Sequence, residues 1–171
     1  HYLDIPEEDV VRLRWYGLYH DKPKVGEYML RIKIPSGLLT TGGVRTIADV
    51  AERFGQGFTE LTTRQNVQLH FLQLRDVPEI LRELSDVGIT TAGACGDAVR
   101  NVTGCPLGGI LATEAFDVTP YAKASTFFSA PSSSRTFERM CLAMKKAISS
   151  DTATASASAF FRTMATRISS S

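Results

Sequence analysis

From residue 26 to residue 93 the spacing of apolar residues switches repeatedly between a period of two and a period of about 3.6, and this succession restricts the fold more than any other feature. "GEYMLRIKIPSG", residues 26–37, alternates, with Tyr28, Leu30, Ile32 and Ile34 on one face and Met29, Arg31 and Lys33 on the other. That predicts a strand with one basic face. "GGVRTIADVAERFG", residues 42–55, puts Val44, Ile47, Ala48, Ala51 and Phe54 at helical spacing and closes on Gly55, a helix with a glycine stop. "FTELTT" and "NVQLHFLQL" read as two further strands, the second with Val67, Leu69 and Phe71 on one face and Gln68, His70 and Leu72 on the other. "VPEILRELSDVG" has Pro78 in its first turn, Ile80, Leu81, Leu84 and Val87 inside and Gly88 at its end, a second helix. "ITTAG", residues 89–93, completes the series as a short strand.

Strand, helix, strand, strand, helix, strand is the β-α-β-β-α-β order of a ferredoxin-like α+β fold. That plan hosts many functions, so chemistry must be read from particular side chains. The chain is not uniform. Residues 1–121 hold 12 Lys+Arg against 16 Asp+Glu, a net of −4, whereas residues 122–171 hold 7 against 2, a net of +5. All 13 glycines lie at or before Gly109, and 28 of the last 50 residues are Ser, Thr or Ala. The basic residues of the tail are scattered rather than massed, which reads as an extension and not as a nucleic-acid or membrane arm. Cys95, Cys105 and Cys141 form no CxxC pair, so neither a disulfide framework nor a zinc site is indicated. No apolar run reaches bilayer length and no signal peptide opens the chain, so a cytoplasmic protein is expected. The first residue is His1, and a start inside a longer protein is expected.

Two polar stretches are not required by local structure. Arg64-Gln65-Asn66 stands at the mouth of a strand, where an arginine fork with neighbouring amides suits carboxylates and small oxyanions, although an isolated loop arginine is often simply solvated. "GACGDAVRNVTGCP", residues 93–106, combines Gly93, Gly96 and Gly104 with Arg100 and Asn101. Its glycines allow close backbone approach to a bulky ligand, or equally a tight turn between strands. It matches neither a Walker loop nor GxGxxG. Arg31, Arg64, Arg100 and Lys33 would form an anion pocket if the strands bring them to one face.

"RLRWYGLYHDKPKVGEYMLRIKIPSG", "LTTRQNVQLHF" and "GDAVRNVTGCPLGG" stand here in the order in which similar motifs stand in the siroheme-dependent nitrite and sulfite reductases. Residues 8–121 resemble that family. The resemblance implies an N-terminal arm at 1–17, a ferredoxin-like half-domain at 18–90, and at 91–127 the start of the larger siroheme and 4Fe-4S domain. It implies a six-electron reduction of nitrite to ammonia or of sulfite to sulfide, with ferredoxin or a flavoprotein as electron donor. Siroheme is rich in carboxylates, and burying them demands compensating cations. By position within the motifs, Arg64 and Arg100 resemble the family arginines that contact siroheme and the oxyanion, the catalytic pair. Thr63, Gln65, Asn66 and Asn101 would hold macrocycle carboxylates and each other, with Arg31 a further cofactor contact.

The family holds its 4Fe-4S cluster with two pairs of cysteines in a later segment, and nothing in this chain corresponds to them. Cys95, Cys105 and Cys141 are read as small structural thiols, and no residue is assigned to a metal. Lys145-Lys146 is adjacent rather than spaced and does not match the family's lysine pair. Beyond residue 127 the resemblance stops, and the glycine-free tail, residues 128–171, is expected to be unrelated to the parent or read out of frame. Within it "RTFERMCLAMKKAI" has helical spacing of Phe137, Met140, Cys141 and Met144. An N-terminal portion of the enzyme, inactive alone, is the expectation. The alternative is a non-catalytic anion- or RNA-binding module, since a ferredoxin-like sheet with Phe58, Phe71 and basic residues also fits RNA. The net negative charge of residues 1–121 and the missing glycine-aromatic signature argue against nucleic acid.

Overall fold

The computed structural model describes residues 5, 7–21, 26–95 and 101–128, the last three by backbone alone. Helix α1, Glu7–Trp15, occupies much of the segment expected to be an arm. Glu7, Glu8 and Asp9 lie in its first turn and Arg12 and Arg14 in its last, the charge order that complements the helix dipole. Strand β1, Leu18–His20, follows and pairs antiparallel with β2, Tyr28–Ile32, through Leu18↔Leu30 and His20↔Tyr28. A short turn, Pro35–Gly37, leads to helix α2, Thr41–Phe54, whose first turn is capped by the Thr40 hydroxyl accepting from Gly43 N at 3.1 Å.

Strands β3, Thr59–Leu61, and β4, Val67–Leu72, form a hairpin, and helix α3, Val77–Asp86, follows. The sheet order is β1-β2-β4-β3, antiparallel throughout. Helix α4, Thr119–Phe128, packs near the Pro35–Gly37 turn. Among the described residues no helix is long and apolar enough to cross a membrane.

The expected inner face of β2 holds: Tyr28, Leu30, Ile32 and Ile34 are all buried. With Leu69 and Leu72 of β4, Ile47, Val50 and Ala51 of α2, and Val77, Ile80 and Leu84 of α3, they form one core between the sheet and two helices. Three expectations need correction. The 89–93 strand is reduced to a single bridge, Lys33↔Thr90, because β1 already occupies the edge of β2 that the segment would have paired with. In α2 the buried stripe is Gly43, Ile47, Val50 and Ala51, while Val44 and Ala48 face outward. A Cβ on Gly43 would stand 3.1 Å from Ile89 Cδ1, so this close approach turns the helix one position away from the Val44 stripe.

In β4 the alternation breaks. Leu30 pairs with Leu69 and Tyr28 with Leu72, so two residues of β4 stand where β2 has one. Phe71 takes the left-handed conformation, φ 61, as in a β-bulge. Leu72 therefore enters the core in place of Phe71.

Candidate functional site

Because Leu30 and Ile32 face the helices, Arg31 faces the opposite side of the sheet, directly across the register from Gln68. Its guanidinium is held there: Nη2 donates to Gln68 Oε1 at 2.9 Å, Nη1 reaches Cys95 Sγ at 3.0 Å, and the Tyr19 ring lies 5.7 Å away. Arg31 Nε is buried with no hydrogen-bond partner among the described residues.

The "TTRQN" cluster is the tip of the β3–β4 hairpin. Thr62 N donates to Asn66 O, Gln65 N to Thr62 O, and Asn66 N to the Thr62 hydroxyl, at 2.9, 3.0 and 3.0 Å. Three residues, Thr63, Arg64 and Gln65, make the bend, with Gln65 at φ 58. Such loops place the left-handed residue at this position and favour glycine there. Gln65 occupies it because its side chain has another task. Its Nε2 donates to Gly104 O at 2.9 Å and its Oε1 accepts from Gly104 N at 3.0 Å, a two-point amide pair.

The asparagines also have backbone partners. Ile34 follows β2 where the ladder ends, and its peptide groups still need bonds. Asn66 Oδ1 accepts from Ile34 N at 3.1 Å, and Asn101 Nδ2 donates to Ile34 O at 2.6 Å and to Arg64 O at 2.9 Å. Since both neighbours of Nδ2 are carbonyls, the amide orientation of Asn101 is dictated.

These contacts frame a cavity of about 220 Å³ on the sheet face away from the helices. Arg31 and Gln68 come from the strands, Thr62, Thr63, Arg64 and Asn66 from the hairpin tip, and Ala94 from the segment after α3. None of these lining residues is acidic. Arg64 and Thr63 are exposed at the rim, whereas Arg31 is half-buried. The structure thus brings together Arg31, Thr63, Arg64 and Asn66 from the residues singled out in the sequence. Gln65 and Asn101 stand behind the wall, with their amides on protein groups.

Lys33 is buried and does not line the cavity, and burial pushes its ammonium pKa down. Arg100 lies outside the described residues. Gln68 and Cys95, which touch Arg31, are unremarkable in the sequence. Only strand register identifies Gln68 as the partner of Arg31. Phe58 and Phe71 pack edge-to-face at 6.0 Å, with His70 in contact with both, rather than presenting flat rings side by side. Among the described residues no group of three or more His, Cys, Asp or Glu side chains is arranged to hold a metal.

Residues 20–87 match the nitrite/sulfite reductase ferredoxin-like half domain. Over this stretch, 68 of its 171 residues, the chain is assigned to the nitrite/sulfite reductase ferredoxin-like half-domain family. The matched span contains both cavity arginines, Arg31 and Arg64, and this half-domain ends before Asn101. A ferredoxin–nitrite reductase of Leptolyngbya laminosa is 44% identical over 107 residues, covering 62% of this chain and 21% of the relative. The chloroplastic ferredoxin–nitrite reductase of Arabidopsis thaliana is 42% identical over 120 residues, covering 69% and 20%. The solved structure of the Mycobacterium tuberculosis NirA protein superimposes with a TM-score of 0.70 at 31% identity, over 76% of this chain and 27% of that one. The chain thus spans about a fifth of the length of the curated relatives it matches.

Proposed function

We propose that this half-domain supplies part of the anion-binding wall of a siroheme-dependent nitrite or sulfite reductase, with the full six-electron reaction belonging to a longer protein. One observation carries the reading: two arginines, Arg31 and Arg64, share one cavity with threonine hydroxyls and with no carboxylate among its lining residues. The names of the similar enzymes favour nitrite as oxyanion and ferredoxin as donor.

The residues fit such a cofactor in part. The orphaned Arg31 Nε and the acid-free lining suit a carboxylate or a small oxyanion. Ligand pockets for larger molecules run to roughly 300–1,000 Å³, so this cavity accommodates one carboxylate arm or one oxyanion rather than a macrocycle. Arg31, Thr63 and Arg64 would hold that group. When bound, siroheme with a 4Fe-4S cluster supplies the redox chemistry. Arg31 is the fixed member, oriented by Gln68, and a fixed guanidinium stabilises negative charge without reorganising. Arg64 closes the cavity from its exposed rim.

Residues 91–127 would begin the second domain of that enzyme. Leu107, Ile110, Leu111, Phe116 and Tyr121 are exposed there, which supports a covering by further protein. Without that protein the chain is expected to be colourless and inactive.

The chain tests this directly. Nitrite and sulfite titrations, followed by the NMR signals of the arginine side chains, are expected to shift Arg31 and Arg64. Arg31→Gln should weaken binding about tenfold or more, as loss of a charge-assisted contact does. Equal binding by wild type, Arg31→Gln and Arg64→Gln would reject the cavity as the anion site. A stoichiometric siroheme band from the 171-residue chain alone would overturn the expectation of a colourless protein.

A further inference from the structure

We propose that Asn101, supported by Gln65, is a positioning residue that fixes Arg64 relative to Arg31. This rests on reading the cavity as an anion site. Arg64 sits at the tip of a hairpin whose outer strand, β3, has three residues, all exposed, so the hairpin by itself does not set where the guanidinium stands. The backbone does have an anchor. The single amide group of Asn101 holds both Arg64 O and Ile34 O, at 2.9 and 2.6 Å. Ile34 N is held in turn by Asn66 from the same hairpin tip, at 3.1 Å.

The end of the Arg31 strand and the loop of Arg64 are therefore tied to the same peptide groups. The Gln65–Gly104 pair adds two bonds between the hairpin tip and the segment that carries Asn101. This explains why Gln65 keeps a left-handed backbone that glycine would adopt more readily. Asn101 is buried and does not itself line the cavity; it meets the lining through its hydrogen bond to Arg64 O. Its influence on an anion must pass through Arg64.

Asn101→Asp removes the donor and sets a carboxylate against two carbonyls. Amide hydrogen exchange at Gln65 and Asn66 should then quicken about tenfold, the scale of a lost hydrogen bond, while Leu30 and Leu69 keep their rates. Unchanged exchange at the hairpin tip would overturn the positioning role whether or not any anion binds.

Nitrite titration separates the two claims. If wild type binds nitrite, Arg64→Gln should weaken binding in wild type and have no further effect in Asn101→Asp, while Arg31→Gln weakens it in both. Loss of the Arg31 and Arg64 contributions alike would mean a merely structural Asn101. If wild type binds no nitrite, the anion reading fails and exchange alone decides the positioning role. Should Asn101→Asp not fold, Gln65→Glu removes only the donor to Gly104 O and should quicken exchange at the same two amides. No change there overturns the proposal.

Discussion

Truncating Leu72 to alanine removes three carbons from one of the most enclosed sites in the molecule. Leu72 is fully buried opposite Tyr28, and the bulge that brings it there leaves Phe71 half-buried on the other side of the strand. Leu→Ala at a closed core site costs about 2–5 kcal/mol, the upper part where neighbours do not collapse into the space. A residue at 0% exposure with Leu69, Leu30 and Ile80 in the same core belongs near about 3 kcal/mol. Phe71 touches Phe58 and His70 at centroid distances of 6.0 and 6.3 Å. Phe71→Ala should therefore cost about 1 kcal/mol, the size of an aromatic pair term.

Urea unfolding followed by circular dichroism reads both. With a slope of about 1–3 kcal/mol per M, Leu72→Ala should lower the midpoint by about 1–3 M and Phe71→Ala by about a third of that. Phe71→Gly isolates the backbone, because glycine accepts φ 61 without the Cβ penalty and should be less harmful than Phe71→Ala by about 0.5–1 kcal/mol. A larger loss from Phe71→Ala than from Leu72→Ala, with Phe71→Gly worse than either, would refute the bulge.

Two other perturbations probe different parts of the fold. A Cβ on Gly104 would stand 2.9 Å from Ser36 Oγ and 3.3 Å from Ser36 Cβ. Gly104→Ala should cost about 1–3 kcal/mol in thermal or urea unfolding. Ser36→Gly, which also relieves φ 55, should restore most of it, and additive losses in the double variant would show that the contact is not the cause. The Tyr28 hydroxyl is buried without a hydrogen-bond partner among the described residues, and burial pushes its pKa up to about 12. Between the ordinary phenol value and about pH 12 the unfolded chain releases a proton that the folded chain keeps, so stability falls with rising pH across that window. The loss is on the order of 2–3 kcal/mol. Tyr28→Phe should abolish it and leave stability at neutral pH unchanged or slightly higher. A flat profile in wild type would contradict the burial of this phenol.

Local periodicity by itself determined the run β2, α2, β3, β4, α3 and the inner face of β2, but not α1, β1 or α4, because a buried face imposes period two or 3.6 on neighbouring residues whatever lies across from them. The strand readings of residues 58–63 and 66–74 also put Arg64 at a strand entrance, and Arg31 lay on the outward face of β2 by simple alternation. Tertiary structure decided the rest. The edge of β2 went to Leu18–His20 rather than to residues 89–93, a choice between two backbones with identical donors and acceptors. An extra residue in β4 exchanged Phe71 for Leu72 in the core, since a bulge inverts alternation without any glycine to announce it.

The same limit applied to the amides. The side chains of Gln65, Asn66 and Asn101 have the same chemistry facing a ligand carboxylate or a peptide group, and only the folded chain shows that Ile34, Arg64 and Gly104 stand within reach of them. Sequence determined which residues carry charge and which faces are apolar, because those are properties of single residues and their close neighbours. Which polar group meets which was decided by the tertiary structure, because hydrogen-bond partners far apart in the chain are set by register, bulges and close backbone approach.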